Sequence, residues 1–278
     1  MVEVALTAGP FFNLDGIVNQ TGTIFTSNTV AAGATGLGPG SAEGNNLFDK
    51  FNFDYGDAPA PYPTLRASNG ARHFLQGFRL GTILADGEPD GQPSVGANAD
   101  ETSGTADDRD GVAFLNPLVT VTGYVVNLQV TTTGGGKLDA WVDFNLDGDW
   151  NDANEQIFTN RVLNDGVNSV SFTMPAGAVA GTSYARFRLS TAGGLASTGD
   201  AADGEVEDYR VSLLPASPPS SLVVDTTEDQ SNGDFTPGNL SLRAAVQMAN
   251  VNADLTTITF STALAGATVK LGTIGDGT

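Results

Sequence analysis

Between residues 125 and 213 apolar and polar side chains alternate with the two-residue period of half-buried strands, and five runs stand out: 125–131, 137–144, 170–174, 184–189 and 209–213. Leu138, Ala140, Val142 and Phe144 share one face of their run, and Ala185, Phe187 and Leu189 one face of theirs. The same alternation puts Arg186 and Arg188 on an outward face. Asp-, Gly- and Asn-rich loops separate the runs, so the pattern predicts an all-β fold, an antiparallel β-sandwich over residues 54–214. Pro215-Ala-Ser-Pro-Pro-Ser-Ser221 is stiffened by proline and reads as a linker over 215–221. Beyond it, residues 222–278 hold one helical pattern, 240–250, with Leu242, Val246 and Ala249 on a stripe and Asn239 or Ser241 placed to cap it. Short β runs at 257–260 and 268–271 complete a unit too small to enclose its own core. Residues 1–53 carry β-prone pieces at 2–6 and 22–28 and a glycine-rich stretch at 31–44, as expected of an N-terminal arm or leader.

Charge narrows the function. The 278 residues hold 12 Lys plus Arg against 32 Asp plus Glu, a formal net charge of −20, which repels nucleic acid and anionic membrane surfaces. Without cysteine there is no disulfide, thiolate nucleophile or thiolate-bound zinc. The single histidine, His73, would have to carry any Ser–His–Asp chemistry alone, and its turn-like setting predicts a structural residue instead. No apolar run approaches the roughly 18 residues of a membrane-spanning helix, so no membrane insertion is expected. The start lacks the regions of a signal peptide and the end carries no stop signal, which suggests a removed leader or an internal fragment of a longer polypeptide.

Only eight of the 32 acids are Glu; the rest are Asp, the short acid suited to loops and hard cations. The sharpest motif is Asp143-Phe-Asn145-Leu-Asp147-Gly148-Asp149-Trp150-Asn151-Asp152, with Glu155 just beyond. Oxygen side chains at loop positions one, three and five, a glycine at six and a further oxygen at seven or nine are the pattern that wraps one Ca²⁺. An EF-hand would need flanking helices and Glu at position twelve, where Asn154 stands, so a strand-borne loop is expected; the bland alternative is a turn that binds nothing. A second acidic set comprises Asp107, Asp108 and Asp110 with Asp203, Glu205, Glu207 and Asp208. Close carboxylates repel by about 1 kcal/mol per pair even in water, so the two groups are expected to meet around another Ca²⁺ or against Arg186 and Arg188, the alternative being two separate clusters each solvated by water. Trp150 and Tyr62, if exposed, would suit stacking on sugar rings, although a Trp beside a metal loop also serves as an apolar plug. Two catalytic carboxylates could be chosen from 32 in too many ways to single out an enzyme.

Asp54-Tyr-Gly-Asp-Ala-Pro59, Tyr62-Pro-Thr-Leu65, Asn69-Gly-Ala-Arg-His73, Asp107-Asp-Arg-Asp-Gly111, Ala140-Trp-Val-Asp-Phe-Asn145 and Gly204-Glu-Val-Glu-Asp-Tyr209 resemble, in this order, the GEVED domain over about residues 54–213. That resemblance implies a β-sandwich module of large secreted or surface-displayed bacterial proteins, without catalytic residues. Leu222-Val-Val-Asp-Thr-Thr-Glu-Asp and Leu240-Ser-Leu-Arg-Ala-Ala-Val-Gln-Met-Ala-Asn250 resemble the CSLREA segment that opens right-handed parallel β-helices, departing from it at Leu240 for Cys and Ala244 for Glu. A β-helix cut after one or two rungs exposes an edge open to added strands. Either further rungs of a longer polypeptide cover that edge, or the N-terminal arm of a second copy does, head to tail, and propagates a filament. The expected function is therefore an extracellular, calcium-stabilised structural or adhesive module, with a surface glycan or protein as partner; the alternative is a carbohydrate-binding accessory domain of a secreted hydrolase.

Overall fold

A computed structural model describes residues 53–272 apart from 86, 100–107, 218, 230 and 253, and two strands nearer the N-terminus. Those strands, β1 (Asp15–Val18) and β2 (Ile24–Thr26), pair antiparallel within a unit of their own, Met1–Asn52. The piece at 2–6 and the glycine-rich stretch lie outside the described residues.

In Phe53–Thr278 the alternating runs form two facing sheets. One is five-stranded, in the order β10 (Gln156–Leu163), β9 (Gly136–Val142), β12 (Gly181–Ser190), β14 (Glu205–Leu214) and β7 (Leu118–Val119). The other centres on β8 (Val125–Thr133), which pairs with β11 (Gly166–Thr173), β5 (Arg79–Leu80) and β6 (Val112–Phe114). Every pairing here is antiparallel except β14 with β7. Leu138, Ala140 and Val142 of β9 and Ala185, Phe187 and Leu189 of β12 pack against Val126, Leu128 and Val130 of β8 and Val170 and Phe172 of β11. The chain is thus an all-β antiparallel sandwich, its core built by the predicted faces.

The opposite face of the five-stranded sheet corrects the sequence expectation. Arg186 and Arg188 do not meet water: both are fully buried, as are Asp139 and Asp208 beside them. A polar cover lies over that face, made by residues 53–98 with β3 (Phe53–Tyr55) and β4 (Arg72–Phe74), and by the 191–204 segment with β13 (Asp200–Ala201). Alternation tells which residues share a face; it does not tell whether a polar face is roofed by other polar groups.

The C-terminal residues share their core with the sandwich. β15 (Ser221–Val224) and β16 (Thr257–Phe260) pair in parallel through the helix α1 (Leu242–Val251), capped by Ser241 Oγ accepting from Ala244 N at 3.0 Å. Leu222, Val224, Leu240, Ala244, Ala245 and Met248 cluster with Val119 and Leu214. The predicted stripe is therefore displaced: Val246 is exposed, and two alanines face inward because their small side chains let the helix approach the sheet. Ser231 O accepts from Phe114 N and Gly233 O from Ser212 N, and Arg210 pairs with Asp234, so the segment after β15 is sewn to the sandwich edge. Residues 268–271 form no strand. Nothing among the described residues pairs with them, and the side chains of β16 at 257, 259 and 260 are exposed, so a single parallel pair is present and no β-helix is shown.

Candidate metal centre

β9 ends at Val142 and delivers Asp143 into the interior, fully buried. Its Oδ1 accepts from Leu146 N at 2.6 Å, and its Oδ2 from Gly148 N at 3.0 Å and from the Tyr62 hydroxyl at 2.6 Å. The loop returns through Asn154, in a left-handed conformation at φ 76°, which turns Glu155 inward. Phe144 N donates to Glu155 Oε1 and Asp152 N to Glu155 Oε2, at 3.1 and 3.2 Å. Asp143, Asp147 and Glu155 thereby offer three carboxylate oxygens all within 4.8 Å of one another. Calcium–oxygen distances of about 2.3–2.6 Å span ligand oxygens up to about that far apart.

Asn145 and Asp152 border this triad. The Asn145 amide nitrogen donates to Asp147 Oδ2 at 3.1 Å and Asp152 Oδ2 at 2.5 Å, bridging two carboxylates as a cation would; a flip of the amide would present its oxygen instead. Asp149 and Asn151 form the outer turn, where Asp149 Oδ1 accepts from Asn151 N at 2.7 Å, and are not part of the converging group. Gly148 is required twice over. Its φ is +93°, and a Cβ there would lie 2.4 Å from Pro61 Cγ of the cover. Burial, then the charges of Asp143 and Asp147, push the Glu155 carboxyl up to about 7, against the pull of its two backbone donors. These acids stand together without a basic partner among the described residues, so the donor set suits a hard cation.

Of the two readings of Trp150 and Tyr62, an exposed sugar-stacking pair or an apolar plug, burial favours the second. Tyr62 and Trp150 are 8% and 3% exposed, in a cluster with Tyr184, Ala58 and Ala97, so neither offers a sugar-stacking face. Trp150 Nε1 donates to Tyr184 O at 3.1 Å, and the Arg186 guanidinium lies 4.4 Å from its ring centroid. Tyr62 was hidden from sequence reasoning as a partner of Asp143 because 81 residues separate them.

The second acidic set divides. Asp107 lies outside the described residues. Asp208 is held by Arg186 Nε and Nη2, each at 2.7 Å, and by Ala58 N. Asp203 accepts from Thr191 N and Oγ1, and Asp110 from Thr82 N and Oγ1, so both fasten turns. Glu205 and Glu207 are buried on the core side of β14, and with Asp108 they do not bring three carboxylate oxygens within 4.8 Å of one another. Among the described residues Arg188 has no acid in direct contact: its Nε donates to His73 Nε2 at 2.9 Å and its other nitrogens to the carbonyls of Ala196, Thr198 and Gly199.

Since arginine only donates, His73 Nε2 accepts and Nδ1–H donates to Asp203 O at 2.8 Å, which fixes a neutral ring. Burial, then the charge of Arg188, hold its pKa well below 6.5. Acidification below that value protonates the unfolded chain first, so stability is expected to fall between about pH 6.5 and 5, by up to roughly 1.4 kcal/mol per pH unit. Denaturant melts of the parent and His73→Asn across this window should show the larger loss in the parent; equal losses would contradict the assignment.

A family model described as GEVED domain matches residues 137–212, from β9 through β14. No curated protein matches the chain. Among solved structures, the PKD domain of an M14-like peptidase from Thermoplasmatales archaeon SCGC AB-540-F20 is similar, with 13% identity over 39% of this chain and 93% of that one, at a TM-score of 0.21.

Proposed function

We propose that the chain is a calcium-stabilised structural or adhesive module of a large extracellular bacterial protein, in which the 143–155 loop holds one Ca²⁺. The observation that carries this is the convergence of Asp143, Asp147 and Glu155 within 4.8 Å. The GEVED match over 137–212, which contains the loop, supports the module reading. No helix among the described residues is long and apolar enough to cross a membrane.

Asp143 explains what calcium would do here. It joins the end of β9, the loop backbone and, through Tyr62, the cover, so a cation on its carboxylate would fasten all three together. A ligand that binds only the folded chain at a hundredfold above its Kd stabilises by about 2.7 kcal/mol. Thermal melts should therefore shift upward with calcium and return with chelator, and Asp147→Ala should abolish the shift. A calcium-independent midpoint in the parent would overturn the proposal. The carbohydrate-binding alternative has lost its two aromatic candidates to the interior, and a glycan array on the calcium-loaded chain tests it independently.

A further inference from the structure

We propose that His73 is an acid-operated latch: a proton on its ring breaks the contact with Arg188 and releases β4 and the 191–204 segment from the five-stranded sheet, while the sandwich core stays folded. This goes beyond the loss of overall stability argued above, because it assigns where the chain opens first.

His73 is fully buried on β4, the central strand of the β13–β4–β3 sheet, in register with Asp54 on one side and Ala201 on the other. Its Nε2 accepts from Arg188 Nε, so a second ring proton would set two N–H groups, each on a cation, against one another at 2.9 Å. The Nδ1–H is spent on Asp203 O, and the chain closes tightly there: a Cβ on Gly204 would lie 3.2 Å from Nδ1. The carboxylates on the surrounding elements are engaged elsewhere. Asp54 of β3 accepts from Val206 N, Asp200 of β13 pairs with Arg72, and Asp203 accepts from Thr191. Asp139 of β9 accepts from Asn160 N and Leu195 N, while on β14 Asp208 is held by Arg186 and Glu205 stands on the core side. The charges that act on the ring from β12, Arg188 and Arg186, are both positive. The ring must therefore leave its site in order to take a proton.

The 191–204 segment goes with it because Arg188 is its anchor. Nη1 donates to Ala196 O at 2.6 Å and Thr198 O at 2.8 Å, and Nη2 to Gly199 O at 2.7 Å. Ala201 is the one buried apolar side chain of this segment, so hydrogen bonds rather than apolar burial hold it down. Such a segment opens at lower cost than a packed core. The core lies on the other face of the same sheet, where Leu138, Ala140, Phe187 and Leu189 pack without contribution from the cover. Above about pH 6.5 the neutral ring keeps the latch closed; below it, opening takes up one proton and is favoured by up to about tenfold per pH unit.

Hydrogen exchange of the full chain, corrected for the intrinsic effect of pH on amide exchange, reads the opening residue by residue. In the parent, protection at 72–74 and 191–204 should fall by up to about tenfold per pH unit on acidification below about pH 6, with the amides of Leu138, Ala140 and Phe187 still protected. His73→Gln keeps an oxygen to face Arg188 and has nothing to titrate, so its protection over the same residues should stay level. A second measurement needs no variant: His73 is the single histidine, so its ring resonances are unambiguous, and the ring should take up its proton only in step with the loss of protection. The proposal is overturned if cover and core strands lose protection together, if His73→Gln follows the pH dependence of the parent, or if the ring titrates at its ordinary value with 191–204 still protected.

Discussion

Asp208→Ala should lower the stability of the sandwich by about 3–5 kcal/mol, the usual cost of stripping one partner from a buried ion pair. Arg186 and Asp208 are both fully buried and joined by two hydrogen bonds of 2.7 Å, so the substitution leaves a guanidinium with no counter-charge in direct contact. It also deprives Ala58 N of its acceptor at 2.8 Å and loosens the cover. The coupled replacement Arg186→Met with Asp208→Leu should recover much of the loss, because it removes both charges. Recovery stays incomplete, since Pro63 O and Ser197 O lose the donor they share in Arg186 Nη1. Chemical denaturation of the three proteins in excess calcium reads the difference. A single variant within about 1 kcal/mol of the parent would show that the pair is replaceable by water, and the buried cover would need another explanation.

Trp150→Ala is expected to cost a similar 3–5 kcal/mol, as large-to-small changes at buried aromatics do. The ring stacks against Tyr62 with centroids 4.5 Å apart and lies beneath Arg186, so its loss opens a cavity where the loop, the cover and the charged sheet face meet. Trp150→Phe keeps most of the volume and forfeits the bond to Tyr184 O, for a loss nearer 1 kcal/mol. Calcium titrations of both variants give the functional readout. Because Tyr62 bonds to Asp143, the alanine variant should bind calcium more weakly than the phenylalanine variant. Equal calcium affinities would mean that the aromatic cluster stabilises the fold without supporting the loop.

The strands and the inward-facing apolar set were legible because period-two alternation reports faces directly. Leu138, Ala140, Val142, Ala185, Phe187 and Leu189 all sit where that rule puts them. The same rule could have divided the second acidic group, since Glu207 and Asp208 are adjacent on a strand and must point to opposite faces; a tally of charges along the chain conceals this. What covers the polar face was not legible, because it depends on pairings such as Asp54 with Val206 over 152 residues. In α1 more than one stripe satisfies the helical period, and contact with the sandwich selects the alanines. In the loop, residue spacing singled out Asp143 and Asp147 but equally Asp149 and Asn151, which stay in the outer turn, while the inward turn of Glu155 follows from the left-handed backbone at Asn154.

The long reach of the cover sets the order in which the molecule can fold. Asp54 accepts from Val206 N and Asp208 from Ala58 N, across 152 and 150 residues. A chain synthesised from its N-terminus at about 5–20 residues per second makes the cover roughly 8–30 s before the strand it must meet. Closing so large a loop adds little to the equilibrium cost, but such distant pairings slow folding. Through that interval the segment carrying Asp54, Asp57 and Glu88 has no sheet to close upon, and its negative charges discourage contacts between nascent chains. Emergence of β14 supplies the missing edge and both rows of side chains at once, so the strand beginning at Glu205 is the last piece needed before core and cover can lock.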